Sequence, residues 1–458
     1  MLKGLDRIRN RITGIIRKAL PQAKELPSSS ESDDSMHENL SDKAYETLQM
    51  LFSELGPRPA ASPASRNAAR RIASILEKDA DETTLTSARI YPGLGKGMVI
   101  SLIVALSLSS LFVIFRLPVL SIAVIAIYAM CFLSEMRKKG SFLRVFMSSN
   151  DASSVHAVIE PEEDVERTVV FSAHHDTAAI PRDSSSRKGI RVMRAVIPIL
   201  TAVILLAISI AEIVHSVFGS YFMKPGIAPA VFLVFASISL LLSLSCIILC
   251  LSIGKEYSSG AGDNLSGVSA VASLASCFGA MKRKGKGLKH TRLCFVSFDG
   301  EECGTQGSCR WYENNSHILI NPVNLNFDGL YDENELVLLT RDGNGFVDLS
   351  NALASRLSLI AASMGYKVRM GKLPLFGGET DAASAATHMV PSTTLTSMHP
   401  EASTPAHTKE DTPDKVSKEA LSIAISLGIR LALDEDSAKE EKSVQTFLED
   451  GRKYRLSR

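Results

Sequence analysis

The sequence predicts an α/β fold, a mostly parallel central sheet with helices on both faces, interrupted by two hairpins of membrane-spanning helix. Three observations predict it. Strand-like apolar runs alternate with helical stretches. Two long blocks are almost free of charge. Finally, the acidic residues and histidines with the look of metal ligands follow the strand-like runs, where an open α/β sheet gathers its functional groups.

The strand-like runs are "VHAVI" (155–159), "RTVVFSA" (167–173), "RLCFVSF" (292–298), "ELVLLT" (335–340) and "STTLTS" (392–397). Helical periodicity fills 265–280, 347–364 and 415–433 between and after them. Ahead of these, a helix-start signal at Ser41 and Asp42 opens two helices broken at "GPRPAASP".

The apolar blocks cover 98–133 and 192–253. A span takes about 20 apolar residues, so the second block is two helices around "GSYFMKPG", and the first is two shorter ones turning at Arg116–Pro118. Basic residues crowd the outer ends of both hairpins, among them Arg137, Lys138, Lys139, Arg144 and Arg194, whereas the tips carry only Arg116 and Lys224. By the positive-inside rule the tips face out, and the remainder of the chain lies on the cytoplasmic side. Glu212 and His215 lie near a tip, which makes them interfacial rather than a proton path.

This divides the chain into a basic amphipathic helix (1–20), a disordered Ser-rich acidic linker (21–40), a soluble domain in pieces (41–90, 145–190 and 255–433), hairpins at 97–134 and 192–253, and a charged tail (434–458). Helix 1–20 lacks the continuous apolar core of a secretory signal and is read as a membrane-surface contact, with a solvated helix docked on the protein as the alternative. A formal charge of +1 gives no reason to expect nucleic acid. Seven unpatterned cysteines, three of them in apolar runs, argue against a disulfide framework.

His174 and Asp176 follow the 167–173 run, Glu301 and Glu302 follow the 292–298 run, and Asp328 follows "NPVNLNF"; Asp263 sits in "GAGDNLSGVSA" and His407 in "PAHTKEDTPDK". Singly each is weak, since a bare H-x-D is more often a surface turn and "DGEE" a solvated loop. Together they offer imidazole and carboxylate donors of the mix that suits zinc. Hydrolysis of a peptide bond needs an activated water, a Lewis acid and a base, and two ions about 3.5–4 Å apart supply the first two. His175 is expected to face away from the metal, and His388 and His399 to be loop or substrate-pocket residues.

"RTVVFSAHHDT", "GAGDNLSGVSA", "LCFVSFDGEECGTQGS", "NLNFDG" and "AHTKEDTPDKV" closely resemble, in order, the motifs of the di-zinc aminopeptidase family that includes bacterial leucyl aminopeptidase, aminopeptidase Y and glutamate carboxypeptidase. "ELGPRPAASPASRNAARRI" resembles that family's opening helix pair, and "GGETDAASA" its substrate-side loop. The resemblance implies one zinc on His174 and Asp328, a second on Glu302 and His407, and Asp263 bridging both. It makes Glu301 the general base and acid, and Asp176 the partner that orients His174. The related carboxypeptidase G2 and aminoacylase type shares the ligand order but inserts a lid domain before the last ligand. Only 79 positions separate Asp328 from His407, leaving no room for one.

The 87 positions from Asp176 to Asp263 hold the second hairpin. Ligands on both sides of an insertion must meet in one site, so each insertion has an even number of spans. The expected activity is that of a membrane-anchored, zinc-dependent aminopeptidase with peptide substrates, two zinc ions and a bilayer as its setting. The alternative is a catalytically silent scaffold on the same fold, disfavoured because no ligand is missing. A transport or intramembrane-cleavage device is disfavoured because the ligands all lie outside the spans. Oligomeric state is not set by the sequence.

Overall fold

A computed structural model describes residues 31–181, 188–222, 227–246, 254–374, 377–398 and 404–437. The amphipathic helix expected at 1–20, the tail beyond 437, Lys224 and His399 lie outside the described residues. The chain opens with helices α1 (Glu31–Leu55) and α2 (Pro63–Leu76), broken at the proline-rich segment as expected. Ser62 caps α2, its hydroxyl accepting from Ser65 N at 3.1 Å, and Pro63 fits the first turn. Helix α1 begins at Glu31, so the linker expected over 21–40 gives way to helix from 31 onward. Once Ala44, Leu48 and Leu51 are docked in the core, adding turns at the N-terminal end needs no new nucleus.

An eight-stranded sheet forms the centre, in the order β1 (Glu82–Ile90), β2 (Asn150–Ile159), β4 (Thr291–Phe298), β3 (Arg167–His174), β5 (Pro322–Phe327), β10 (Ser392–Ser397), β6 (Leu336–Leu339), β9 (Arg369–Gly371). The inner strands β4, β3, β5 and β10 are parallel, and antiparallel pairings join β1 to β2, β2 to β4 and β10 to β6. A separate ribbon pairs β7 (Arg341–Asp342) with β8 (Val347–Asp348). Strand β1 escapes the sequence reading because it is an edge strand of polar residues, with only Ile90 buried.

Both faces of the inner strands are covered, so these strands read as nearly unbroken apolar runs. Val169, Phe171, Leu293 and Phe295 enter the larger core beneath α1, α2, α7 (Ser266–Arg283), α9 (Asn351–Ser363) and α11 (Lys418–Ser437). Phe171 lies between Phe295 and Phe327, ring centres 5.8 and 6.4 Å away. Alternate residues Val170, Cys294, Val296 and Phe298 enter a smaller core with Trp311 and Tyr312 of α8 (Gln306–Asn315) and Ala385 of α10 (Asp381–Thr387). The six described cysteines are all free.

Helices α3 (Leu94–Ile114) and α4 (Pro118–Met136) leave from β1 and return to β2, turning at Arg116 in the left-handed region. Helices α5 (Lys188–Phe222) and α6 (Ile227–Ser245) are inserted after β3. Their point of departure and return is one antiparallel bridge, Ala179 beside Tyr257, with Ile180 N donating to Glu256 O at 2.8 Å and Ser258 N to Ala178 O at 2.9 Å. Gly254 is required there, because a Cβ would stand 1.6 Å from Ile180 O.

The four helices pack on one another around Leu106, Val113, Leu205, Ile208, Phe232 and Ala236. Serines bond across the bundle: Ser109 to Ser121 at 2.6 Å, Ser209 to Ser121 at 2.9 Å, and Ser107 to Ser243 at 2.9 Å. Glu212 is buried and paired with Arg116 at 3.2 Å. Large apolar side chains, including Phe115, Val119, Met130, Val217 and Leu241, point outward.

By length and composition four described helical segments could cross a membrane: Leu94–Ile114, Pro118–Met136, Val196–Phe218 and Ala261–Arg283. The last differs in kind, since 78% of its apolar stretch is buried in the protein against 33%, 22% and 33% for the others. It is the core helix α7 with the turn before it. The second helix of the second hairpin contributes the shorter apolar stretch Ala230–Ser245 among the described residues.

Candidate metal centre

His174 ends β3, Glu301 and Glu302 follow β4, and Asp328 follows β5, so three neighbouring parallel strands deliver four candidates to one edge. Asp263 comes from the turn before α7, and His407 from the loop before α11. The carboxylate of Asp263 lies between the two histidines: Oδ1 is 3.1 Å from His174 Nε2, and Oδ2 is 3.1 Å from His407 Nε2. Asp328 Oδ1 is 3.6 Å from His174 Nε2, and Glu302 Oε2 is 3.3 Å from His407 Nε2. Two triads result, His174–Asp263–Asp328 and Asp263–Glu302–His407, with donor atoms in each within 4.8 Å of one another. Glu301 Oε2 is 3.9 Å from His174 Nε2.

The donor set fits a cation. Nε2 of His174 and Oε1 of Glu302 are buried without a hydrogen bond, although carboxylates converge on both histidines. Buried polar atoms in a folded protein otherwise find partners. The nitrogen and oxygen donors are those zinc accepts.

The electrostatics are those of a site too rich in carboxylates for its own histidines. Burial raises Glu301 well above the usual carboxylate range; His174 opposes this, while Glu302, Asp328 and Asp381 add to it. Burial would lower His174, but Glu301 and the adjoining carboxylates of Asp176, Asp263 and Asp328 carry it well above its ordinary value. His407 is raised by Glu302 against burial, with Asp263 adding to the effect.

Asp176 is fully buried and serves two elements at once. Its Oδ1 accepts from Glu301 N at 3.1 Å and its Oδ2 from Glu302 N at 3.1 Å, while Oδ1 stands 3.6 Å from His174 Nδ1. The carboxylate therefore sets the glutamate loop, while the main-chain oxygen of Asp176, 3.2 Å from His174 Nδ1, meets the imidazole. His175 turns to the other side and meets Ser297 Oγ at 2.9 Å through Nδ1.

Three supporting residues were not singled out from the sequence. Arg58, inside "GPRP", is fully buried; its guanidinium donates to His175 O at 2.7 Å, Ser259 O at 2.9 Å, Gly260 O at 3.1 Å and Gly56 O. It bolts the first helix pair to the loops bearing His174 and Asp263. Asp411, four residues after His407, accepts from Gly262 N at 2.7 Å and Asp263 N at 3.2 Å. Asp381, within "GGETDAASA", is buried; burial pushes it up to about 7, with His174 opposing and Asp176 and Asp328 adding. The signals existed, a lone arginine between prolines and acids inside recognised motifs, but nothing in a linear pattern says which loops they would join.

Residues 250–430 match the model of peptidase family M28, a range that contains Asp263, Glu301, Glu302, Asp328 and His407 and begins after His174 and Asp176. No curated protein matches the sequence. Among solved structures, the chain is similar to a leucine aminopeptidase precursor from Bacteroides thetaiotaomicron (13% identity, TM-score 0.51, covering 87% of this chain and 97% of that one). It is also similar to the glutaminyl cyclase of Tannerella forsythia (12%, 0.52, 87% and 99%) and to that of Bacteroides thetaiotaomicron bound to N-acetylhistamine (13%, 0.51, 87% and 98%). At such identities the likeness shows the fold, that of a zinc exopeptidase. Motif order, sheet topology and the matched domain agree, and residues 250–430 carry a peptidase family M28 domain.

Proposed function

We propose that the protein is a membrane-anchored aminopeptidase that holds two zinc ions and cleaves N-terminal peptide bonds. The observation that carries this reading is Asp263, whose two oxygens each stand 3.1 Å from a different histidine, with Asp328 and Glu302 completing the two donor sets. His174 and Asp328 would hold one ion, Glu302 and His407 the other, and Asp263 both. Zinc in such a site supplies Lewis-acid polarisation of the carbonyl and activation of water.

The chain's own residues do the rest. Glu301, with its proton affinity raised by burial, takes a proton from the attacking water and returns it to the departing amine. Asp176 keeps Glu301 and Glu302 on one loop in register with His174.

The outward apolar faces of α3–α6, with serines and an Arg116–Glu212 pair between helices, support a bilayer setting for the bundle. The basic residues at its domain end support the cytoplasmic side for the soluble domain.

The test is zinc content and amino acid release on detergent-purified full-length protein beside Glu301→Gln. The expected result is two zinc ions in both, with the variant's rate down by roughly 10²–10⁴. Because glutaminyl cyclases share the fold, the peptide panel includes an N-terminal glutamine, whose ring closure frees ammonia instead of an amino acid. A zinc-loaded protein inert on the whole panel would overturn the peptidase reading and leave the silent scaffold.

A further inference from the structure

A second feature is a cavity lined by none of the candidate metal ligands. Where α4 ends, the chain turns through Arg137, Lys138, Lys139 and Gly140 against the catalytic domain, and a cavity of about 480 Å³ opens between this turn, the start of α8 and the end of α10. Five basic side chains line it, Arg137, Lys138, Lys139, Arg144 and Arg310, against one carboxylate, Glu313.

Three of these cations are answered. Lys138 pairs with Glu379, Arg144 with Glu135 at 2.6 Å, and Arg310 with Glu313 at 2.5 Å. Arg137 and Lys139 have no acidic partner among the described residues. The cavity thus holds two uncompensated positive charges, and its neighbours already have their carboxylates in use.

Directly beyond the basic turn, the short helical segment Phe142–Phe146 exposes Phe142, Val145 and Phe146, the last two at 81% and 80%. Large apolar side chains so exposed, beside a basic cluster at the end of an apolar helix, form the pattern of a segment at the boundary of headgroups and acyl chains. A basic pocket at that depth selects an anionic headgroup.

We propose that this cavity binds the phosphate of an anionic phospholipid, with Arg137 and Lys139 as the charges that recognise it and Phe142, Val145 and Phe146 seated in the adjoining interface. The inference rests on the membrane reading of α3 and α4. The shared chemistry is an oxyanion, so inorganic phosphate is the competing source.

The test uses the detergent-purified full-length chain, titrated by native mass spectrometry with phosphatidylglycerol and with phosphatidylcholine, and by calorimetry with inorganic phosphate. The expected result is one phosphatidylglycerol retained at least tenfold more tightly than phosphatidylcholine. Arg137→Gln with Lys139→Gln, which breaks no ion pair among the described residues, should cut that preference by tenfold or more. Equal retention of the two lipids, or a preference unchanged in the double variant, overturns the proposal. Phosphate binding that depends on the same two residues without any lipid preference assigns the pocket to a soluble anion and overturns the lipid source. Protein that reconstitutes into vesicles yet shows no preference refutes the pocket while leaving the anchoring reading intact.

Discussion

Replacing Arg58 with methionine should damage the metal centre without touching a candidate ligand. The side chain is fully buried and donates to four backbone carbonyls, those of Gly56, His175, Ser259 and Gly260. Methionine fills much of the volume and donates nothing. A buried acceptor left unpaired costs about 1–3 kcal/mol; Gly260 O keeps its bond from Leu265 N at 3.1 Å, and the other three exceed what is recovered by no longer burying a guanidinium whose pKa is already pushed down to about 10. Asp176, Asp411 and Asp263 also lose a nearby positive charge. Removing one partner of a buried charged network typically costs about 3–5 kcal/mol, a large share of a domain's roughly 5–15 kcal/mol.

The same loss frees the backbone beside His174 and ahead of Asp263, so zinc affinity should fall about 10–100-fold. The measurement is thermal unfolding of the purified protein with and without zinc, together with competition against a chelator. Arg58→Lys should sit between, since one ammonium cannot span the four carbonyls. An Arg58→Met protein that melts like the parent and holds zinc as tightly would show that the bolt is ornamental and the reasoning wrong.

Gly260 has φ +63°, and a Cβ there would stand 2.6 Å from Asp263 O and 2.8 Å from Arg58 Nη2. Gly260→Ala should therefore destabilise the protein by about 2–4 kcal/mol and weaken zinc binding, read by the same melting and competition assays. His156, packed edge-on against Trp311 at 5.1 Å, has its pKa lowered to about 4 by burial, with Arg292 adding to the effect. Because the folded value lies below the unfolded one of 6.5, its contribution is complete above pH 6.5 and is lost as the pH falls toward 4. His156→Gln should flatten that part of the stability profile measured by denaturant titration, and an identical acid limb in both proteins would rule the histidine out as its source.

The strands β3 and β4 were legible because both faces are buried and their residues, Val169 to Ala173 and Leu293 to Phe298, are apolar but for Ser172 and Ser297. The six candidate residues His174, Asp263, Glu301, Glu302, Asp328 and His407 were legible because each closes or follows such a run, or sits in a motif that the family shares. Strand β1 was not, because an edge strand exposes Thr84, Leu85 and Ser87 and carries no burial signature. Nor were the first turns of α1, whose Ser-rich acidic composition has no apolar face to reveal a helix carried forward from a docked end. Arg58, Asp381 and Asp411 act between loops far apart in sequence, over 117 positions from Arg58 to His175, and only closure of the fold brings their partners near.

The placement of the two hairpins fixes the order in which the molecule can be finished. The chain delivers β1, then α3 and α4, then β2 and β3, then α5 and α6, and only afterwards β4 and β5, which complete the sheet around β3. Emerging from the ribosome, the first three strands must wait with their apolar faces uncovered while the second hairpin is made, since β4, the strand that joins β2 to β3, does not yet exist. The bundle waits as well, because α3 packs on α6 and α4 on α5. Under the membrane reading proposed for the bundle, its integration and the closure of the sheet domain are interleaved steps of one assembly, and the exposed edges of β2 and β3 are where a chaperone would have its interval to act.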